Sequence, residues 1–95
     1  MYRLAFKSGV RKDFRQISKA DIGFIKTSLQ EFVSLFDDHY ERTLMQCGKI
    51  KKLQGQRETL YRLKLRRYRV IYKKENEQLV ILVLSVKSRE GAYKK

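Results

Sequence analysis

Proline is absent from all 95 residues, cysteine and histidine occur once each, and Asp and Glu together number only 10. With no proline, no Gly/Ser-rich linker and no internal repeat, nothing marks a boundary. Residues 1–95 are expected to form one domain around one hydrophobic core. A lone Cys47 cannot make an internal disulfide, which suits a reducing compartment. Gly9, Gly23, Gly48, Gly55 and Gly91 stand apart, so the glycine fingerprints of P-loop and dinucleotide-binding proteins are missing. Metal sites need clustered His, Cys, Asp or Glu, and the predicted strands carry no paired acids. Neither a metal centre nor any other cofactor is expected, and a two-metal nuclease is disfavoured. No apolar run is long enough to cross a bilayer, and Met1-Tyr2-Arg3 does not open a charged-then-apolar leader. The expectation is a soluble cytoplasmic protein with no membrane partner. His39, set among acids, reads as a solvated surface residue rather than a triad member, and Cys47 as a small core residue rather than a nucleophile.

What the chain has in abundance is positive charge, 23 Lys and Arg in all. It is unevenly spread. Met1 to Gly48 carry 8 basic and 6 acidic residues, whereas Lys49 to Lys95 carry 15 and 4, net charges of +2 and +11. A field of that size on one half calls for a polyanionic partner, either nucleic acid or an acidic protein segment. Such a face also suits an acidic, partly disordered segment that folds as it binds.

The pattern along the chain changes period midway. Tyr2 to Phe6 alternate as a first strand. Ser8 is placed to cap a short helix with Val10, Phe14 and Ile17 on its apolar side. Asp21 is placed to cap a longer one whose stripe runs Ile22, Ile25, Leu29, Phe32, Val33 and Phe36. Helicity continues or resumes through Tyr40, Leu44 and Cys47, with a break near Asp37-Asp38-His39 and Gly48 as the stop. Beyond it, Tyr61, Leu63 and Leu65 alternate with Arg62, Lys64 and Arg66, then Tyr68, Val70 and Tyr72 with Arg69, Ile71 and Lys73. Leu79 to Leu84 are continuously apolar, which suits the best-buried strand, after a turn at Glu75-Asn76-Glu77. The predicted fold is α+β: a small antiparallel sheet of about four strands in β-α-α-β-β-β order, with helices packed on one face. Tyr61, Tyr68 and Tyr72 share the apolar parity and belong to the core. The opposite face is left open, lined by Arg62, Lys64, Arg66 and Arg69.

A site made of cations and tyrosines suits one reaction in particular. RNA carries its own nucleophile, the ribose 2′-hydroxyl beside the scissile phosphate. The protein has only to orient it, neutralise growing phosphate charge and move protons. Arg62, Arg69 and Arg89 are candidates to clamp phosphates, and Lys64 or Tyr93 to handle protons. Binding nucleic acid without cutting it remains open on the same residues.

The segments Lys51-Lys52-Leu53-Gln54-Gly55, Leu60-Tyr61-Arg62-Leu63-Lys64-Leu65, Tyr68-Arg69-Val70-Ile71-Tyr72, Leu82-Val83-Leu84-Ser85-Val86 and Arg89-Glu90-Gly91-Ala92-Tyr93 together resemble the RelE/ParE toxin superfamily, closer to its RelE branch. The resemblance covers nearly the whole chain. It implies a RelE-like sheet with helices on one face and a toxin of a type II toxin–antitoxin system, with an acidic antitoxin as partner. DNA would be met only indirectly, through the antitoxin complex. In the RelE branch the toxin enters the ribosomal A site and cleaves mRNA, so ribosome and mRNA are implied partners. Lys64, Arg69, Arg89 and Tyr93 then fall on family site positions and are the expected catalytic residues, and Arg62, Arg66 and Lys52 are expected to bind RNA phosphates. Arg62 stands where RelE proteins have a lysine, and the Arg66-Arg67 turn lacks the glycine often found before the Tyr-Arg pair. Two other readings share the fold: a ParE-like inhibitor that binds DNA gyrase and cuts nothing, and a non-catalytic member that binds only nucleic acid or antitoxin.

Overall fold

Ser18, and not Asp21, starts the long helix. The computed structural model describes residues 1–53 and 57–89, and in it the Ser18 hydroxyl accepts the Asp21 N–H at 3.2 Å, capping α2 (Lys19–Leu35). Asp21 lies inside the first turn, which frees its carboxylate for a tertiary contact. The predicted stripe is buried as Ile25, Leu29, Phe32 and Val33. Asp37 then accepts the Tyr40 N–H at 2.7 Å and opens α3 (Asp38–Gln46), where the sequence places the break. Gly48, at φ +85°, ends it in the left-handed region that favours glycine. The short α1 (Val10–Arg15) begins after Gly9 with no side-chain cap, so the capping expected of Ser8 is not made. His39 is exposed as expected, but so is Cys47, which ends α3 on its outer side instead of entering the core.

Five strands form one mixed sheet, β1 (Arg3–Phe6), β2 (Ile50–Leu53), β3 (Leu60–Leu65), β4 (Tyr68–Glu75) and β5 (Val80–Ser88), in the order β1-β5-β4-β3-β2. The β3–β4–β5 meander is antiparallel, as the short connections require. The sheet differs from the expectation in two ways. Ile50-Lys51-Lys52-Leu53 forms a fifth strand, antiparallel to β3, although its apolar–Lys–Lys–apolar pattern has no period of two. The first strand joins parallel to the last, Arg3 opposite Val80 through Phe6 opposite Val83, so the sheet is not purely antiparallel. Leu79 leaves the apolar run as a turn residue, φ +55° and 40% exposed, while β5 runs on to Ser88.

The core lies between the sheet and the helices. Tyr61, Leu63, Leu65, Tyr68, Val70 and Tyr72 meet Ile25, Leu29, Phe32 and Phe36, as the alternation predicts. Within it is a buried polar cluster. Glu41 of α3, 5% exposed, accepts the Tyr72 hydroxyl at 2.8 Å and the Lys74 ammonium at 2.8 Å. Burial, and then the Glu41 charge, push the Tyr72 hydroxyl far above the usual tyrosine range. Burial alone would lower Lys74, but the Glu41 hydrogen bond and charge outweigh it and leave this lysine raised.

Candidate nucleic-acid interface

Register places a row of cations on the sheet face away from the core. Lys64 on β3 stands opposite Arg69 on β4, and Arg69 stands opposite Lys87 on β5. Directly opposed residues on antiparallel strands hold their Cβ atoms about 5 Å apart, and like charges so placed repel. A second pair, Lys51 opposite Arg62, lies alongside. Lys87 is neutralised: its ammonium sits 2.6 Å from Asp13 of α1, which is 8% exposed. The other oxygen of Asp13 accepts the Val86 N–H at 2.9 Å, covering the edge of β5 beyond the end of β1. Among the described residues, Lys51, Arg62, Lys64 and Arg69 have no carboxylate partner.

The two arginines are held by backbone carbonyls. One amino group of Arg69, a residue only 9% exposed, donates to the carbonyls of Arg66 and Tyr68, each at 3.1 Å. Arg62 donates to the Gly48 carbonyl at 3.1 Å. In both, the buried Nε–H has no hydrogen-bond partner among the described residues. A guanidinium with an unmade hydrogen bond and no counter-charge weakens a fold, since burying a charge is costly unless it is paired. Such an arrangement is relieved by an anion arriving from outside.

The predicted site residues do not all share this face. Arg62, Lys64 and Arg69 do. Arg66 turns the other way: at φ +55° in the two-residue β3–β4 turn, its guanidinium lies 3.7 Å from the centre of the Phe24 ring of α2, on the helix side. The alternation that put it on the open face stops at Leu65, where the turn begins. Lys52 pairs with Tyr61, whose side chain is in the core, so it is Lys51 that shares the side of Arg62. Arg89 follows β5, exposed, and its N–H donates to the Arg67 carbonyl at 2.6 Å, fixing where it leaves the sheet. Tyr93 lies outside the described residues. Sequence reasoning passed over Lys87 and Asp13, whose link depends on a contact between residues 13 and 87; the periodicity of either segment gives no sign of it.

Next to Arg69, the Tyr68 hydroxyl donates to Asp21 at 2.5 Å and Arg67 reaches the same carboxylate at 3.1 Å. The Tyr68 hydrogen bond, then the Arg67 charge against the opposing effect of burial, holds Asp21 below the usual carboxylate range. A carboxyl lowered in the folded state contributes stability above its unfolded pKa, and that contribution is lost as pH falls through the lower folded value. Asp21→Asn is therefore expected to show a shallower loss of melting temperature below about pH 4 than the parent. Superimposable acid limbs in thermal melts would remove this assignment.

Helices on one face of a five-stranded mixed sheet, with cations on the other, define a RelE-like α+β protein. The chain belongs to the ParE toxin family of type II toxin–antitoxin systems, whose family model matches residues 4–93. Among solved structures it is similar to the archaeal RelE–RelB complex of Pyrococcus horikoshii, at 28% identity and a TM-score of 0.65, covering 93% of this chain and 94% of that one. It is similar also to the intact E. coli RelBE toxin–antitoxin complex, at 26% identity and a TM-score of 0.65, covering 93% and 96%. The isolated E. coli RelE toxin aligns at 26% identity with a TM-score of 0.64, covering 93% and 84%. No curated protein matches the chain. Within the RelE/ParE superfamily its structural likeness is to the RelE branch, and it is a RelE-like toxin of a type II system. Among the described residues, no helix is long and apolar enough to cross a membrane, and no group of three or more His, Cys, Asp or Glu could hold a metal ion.

Proposed function

We propose that this toxin is a metal-independent endoribonuclease that enters the ribosomal A site and cleaves the mRNA there, stopping translation in the cytoplasm. The observation that carries this reading is the uncompensated Lys64–Arg69 pair on the open sheet face, beside Arg62 with its unmade hydrogen bond. The substrate's 2′-hydroxyl attacks the adjacent phosphorus, the bond to the 5′-oxygen breaks, and a 2′,3′-cyclic phosphate forms. One proton leaves the 2′-oxygen and one reaches the departing 5′-oxygen. Arg69 and Arg89 stabilise charge on the phosphate oxygens, Lys64 and Tyr93 carry the protons, and Arg62, with Lys51 on the same side, binds flanking phosphates. The solved complexes of RelE with RelB support an antitoxin as partner, and the basic face asks for an acidic one. DNA is then reached only through that complex.

Toeprinting on a translating ribosome with purified protein tests this. A new mRNA break in the A-site codon is expected, and Arg89→Ala should lose it. The family model gives a second reading some standing, since it describes ParE toxins. Intact mRNA together with inhibition of DNA supercoiling by gyrase would replace the first reading with that one.

A further inference from the structure

Around the edge of β5 from the cationic row lies an open cleft of about 420 Å³, lined among others by Asp13, Gln16, Ile17, Arg67, Tyr68 and Lys87. Lys87, the row's last member, also lines it. Its volume falls in the range of small-ligand sites, which start at about 300 Å³. Each wall offers something different. Arg67 is pinned by hydrogen bonds to Asp21 and to the Tyr68 hydroxyl, each at 3.1 Å, and its guanidinium carbon lies 5.2 Å from the Tyr68 ring centre. A planar cation fixed in this way is a stacking platform for a base. Ile17 supplies apolar surface. Gln16 stands one turn after Asp13 on the same side of the chain, and its amide has no hydrogen-bond partner among the described residues. A side-chain amide both donates and accepts, which suits it to reading the edge of a base.

We propose that this cleft receives one nucleobase of the RNA strand laid on the cationic row, and that Gln16 reads its edge. Phosphate contacts along Lys64 and Arg69 position the strand without information about sequence. The cleft adds that information at a single position. This rests on the endoribonuclease reading and narrows it to a toxin with a base preference.

The test is cleavage of ribosome-bound mRNAs randomised around the A-site codon by wild type, Gln16→Ala and Gln16→Glu, each checked for an unchanged melting temperature. Wild type is expected to favour one base at one position. In Gln16→Ala the ratio of favoured to disfavoured cleavage there should fall by roughly tenfold, the scale of a lost base-edge contact. Gln16→Glu, which can no longer donate, should change which base is favoured. If both variants cut with the wild-type preference, or lose cleavage equally on all sequences, the cleft does not read a base although the enzyme reading stands. A wild type with no preference at any position overturns the cleft in the same way. A wild type that cuts nothing overturns the enzyme reading and this inference with it.

Discussion

Glu41→Ala is expected to lower the free energy of unfolding by about 3–5 kcal/mol, the cost of breaking a buried ion pair from one side. The reason is what it leaves behind. Glu41 is the shared acceptor of the Tyr72 hydroxyl and the Lys74 ammonium, and both donors would stay buried without it. Lys74 also lies 4.8 Å from the Tyr61 ring centre, in a place built for a compensated charge. For a domain of this size the loss corresponds to a fall in melting temperature on the order of 20 °C. The double variant Glu41→Leu with Lys74→Met removes both charges together, and should regain most of the loss, because apolar replacement of a buried pair is often neutral or better. Thermal and urea unfolding of the three proteins decides it. A single variant within 1 kcal/mol of the parent, on the scale of an exposed pair, would mean that the cluster contributes little.

The second large effect concerns rate. Arg69→Ala should slow single-turnover mRNA cleavage by about 10²–10³-fold, the usual loss when one donor to a developing oxyanion is removed. Arg69→Lys should recover little of it, since an ammonium keeps the charge but loses the planar, two-pronged contact. Arg69→Ala gives up the hydrogen bonds to the Arg66 and Tyr68 carbonyls, so it should melt modestly below the parent while remaining fully folded at the assay temperature. Full cleavage by Arg69→Lys would show that only charge is needed there. A large fall in melting temperature would instead make Arg69 a structural residue.

The alternation in β3 and β4 was sufficient to put Arg62, Lys64 and Arg69 on one face and three tyrosines in the core, because side chains on a strand alternate between faces whatever the strand pairs with. It could not place Arg66 or Lys52. Arg66 belongs to a turn, where alternation ends, and Lys52 belongs to a strand of four residues whose two central lysines conceal the period. The parallel joining of β1 to β5 lies further out of reach, since it links Arg3 to Val80 and no local pattern encodes a partner so distant. The capping of α2 was a closer contest. Ser18 and Asp21 are both good caps by residue type, and the choice was settled by Arg67 and Tyr68, which claim the Asp21 carboxylate from another part of the chain.

That same pairing of first and last strands has a consequence for biosynthesis. Lys64 and Arg69 come together within a hairpin that closes as soon as it emerges. Lys87, Val86 and the partner of β1 are made after it. At roughly 5–20 residues per second, the amino-terminal strand waits several seconds for the strand it joins. A nascent chain halted before Val80 would hold the row without Lys87 on an unfinished sheet, with Asp13 facing no edge to cover. The working surface is therefore completed only once β5 has been made.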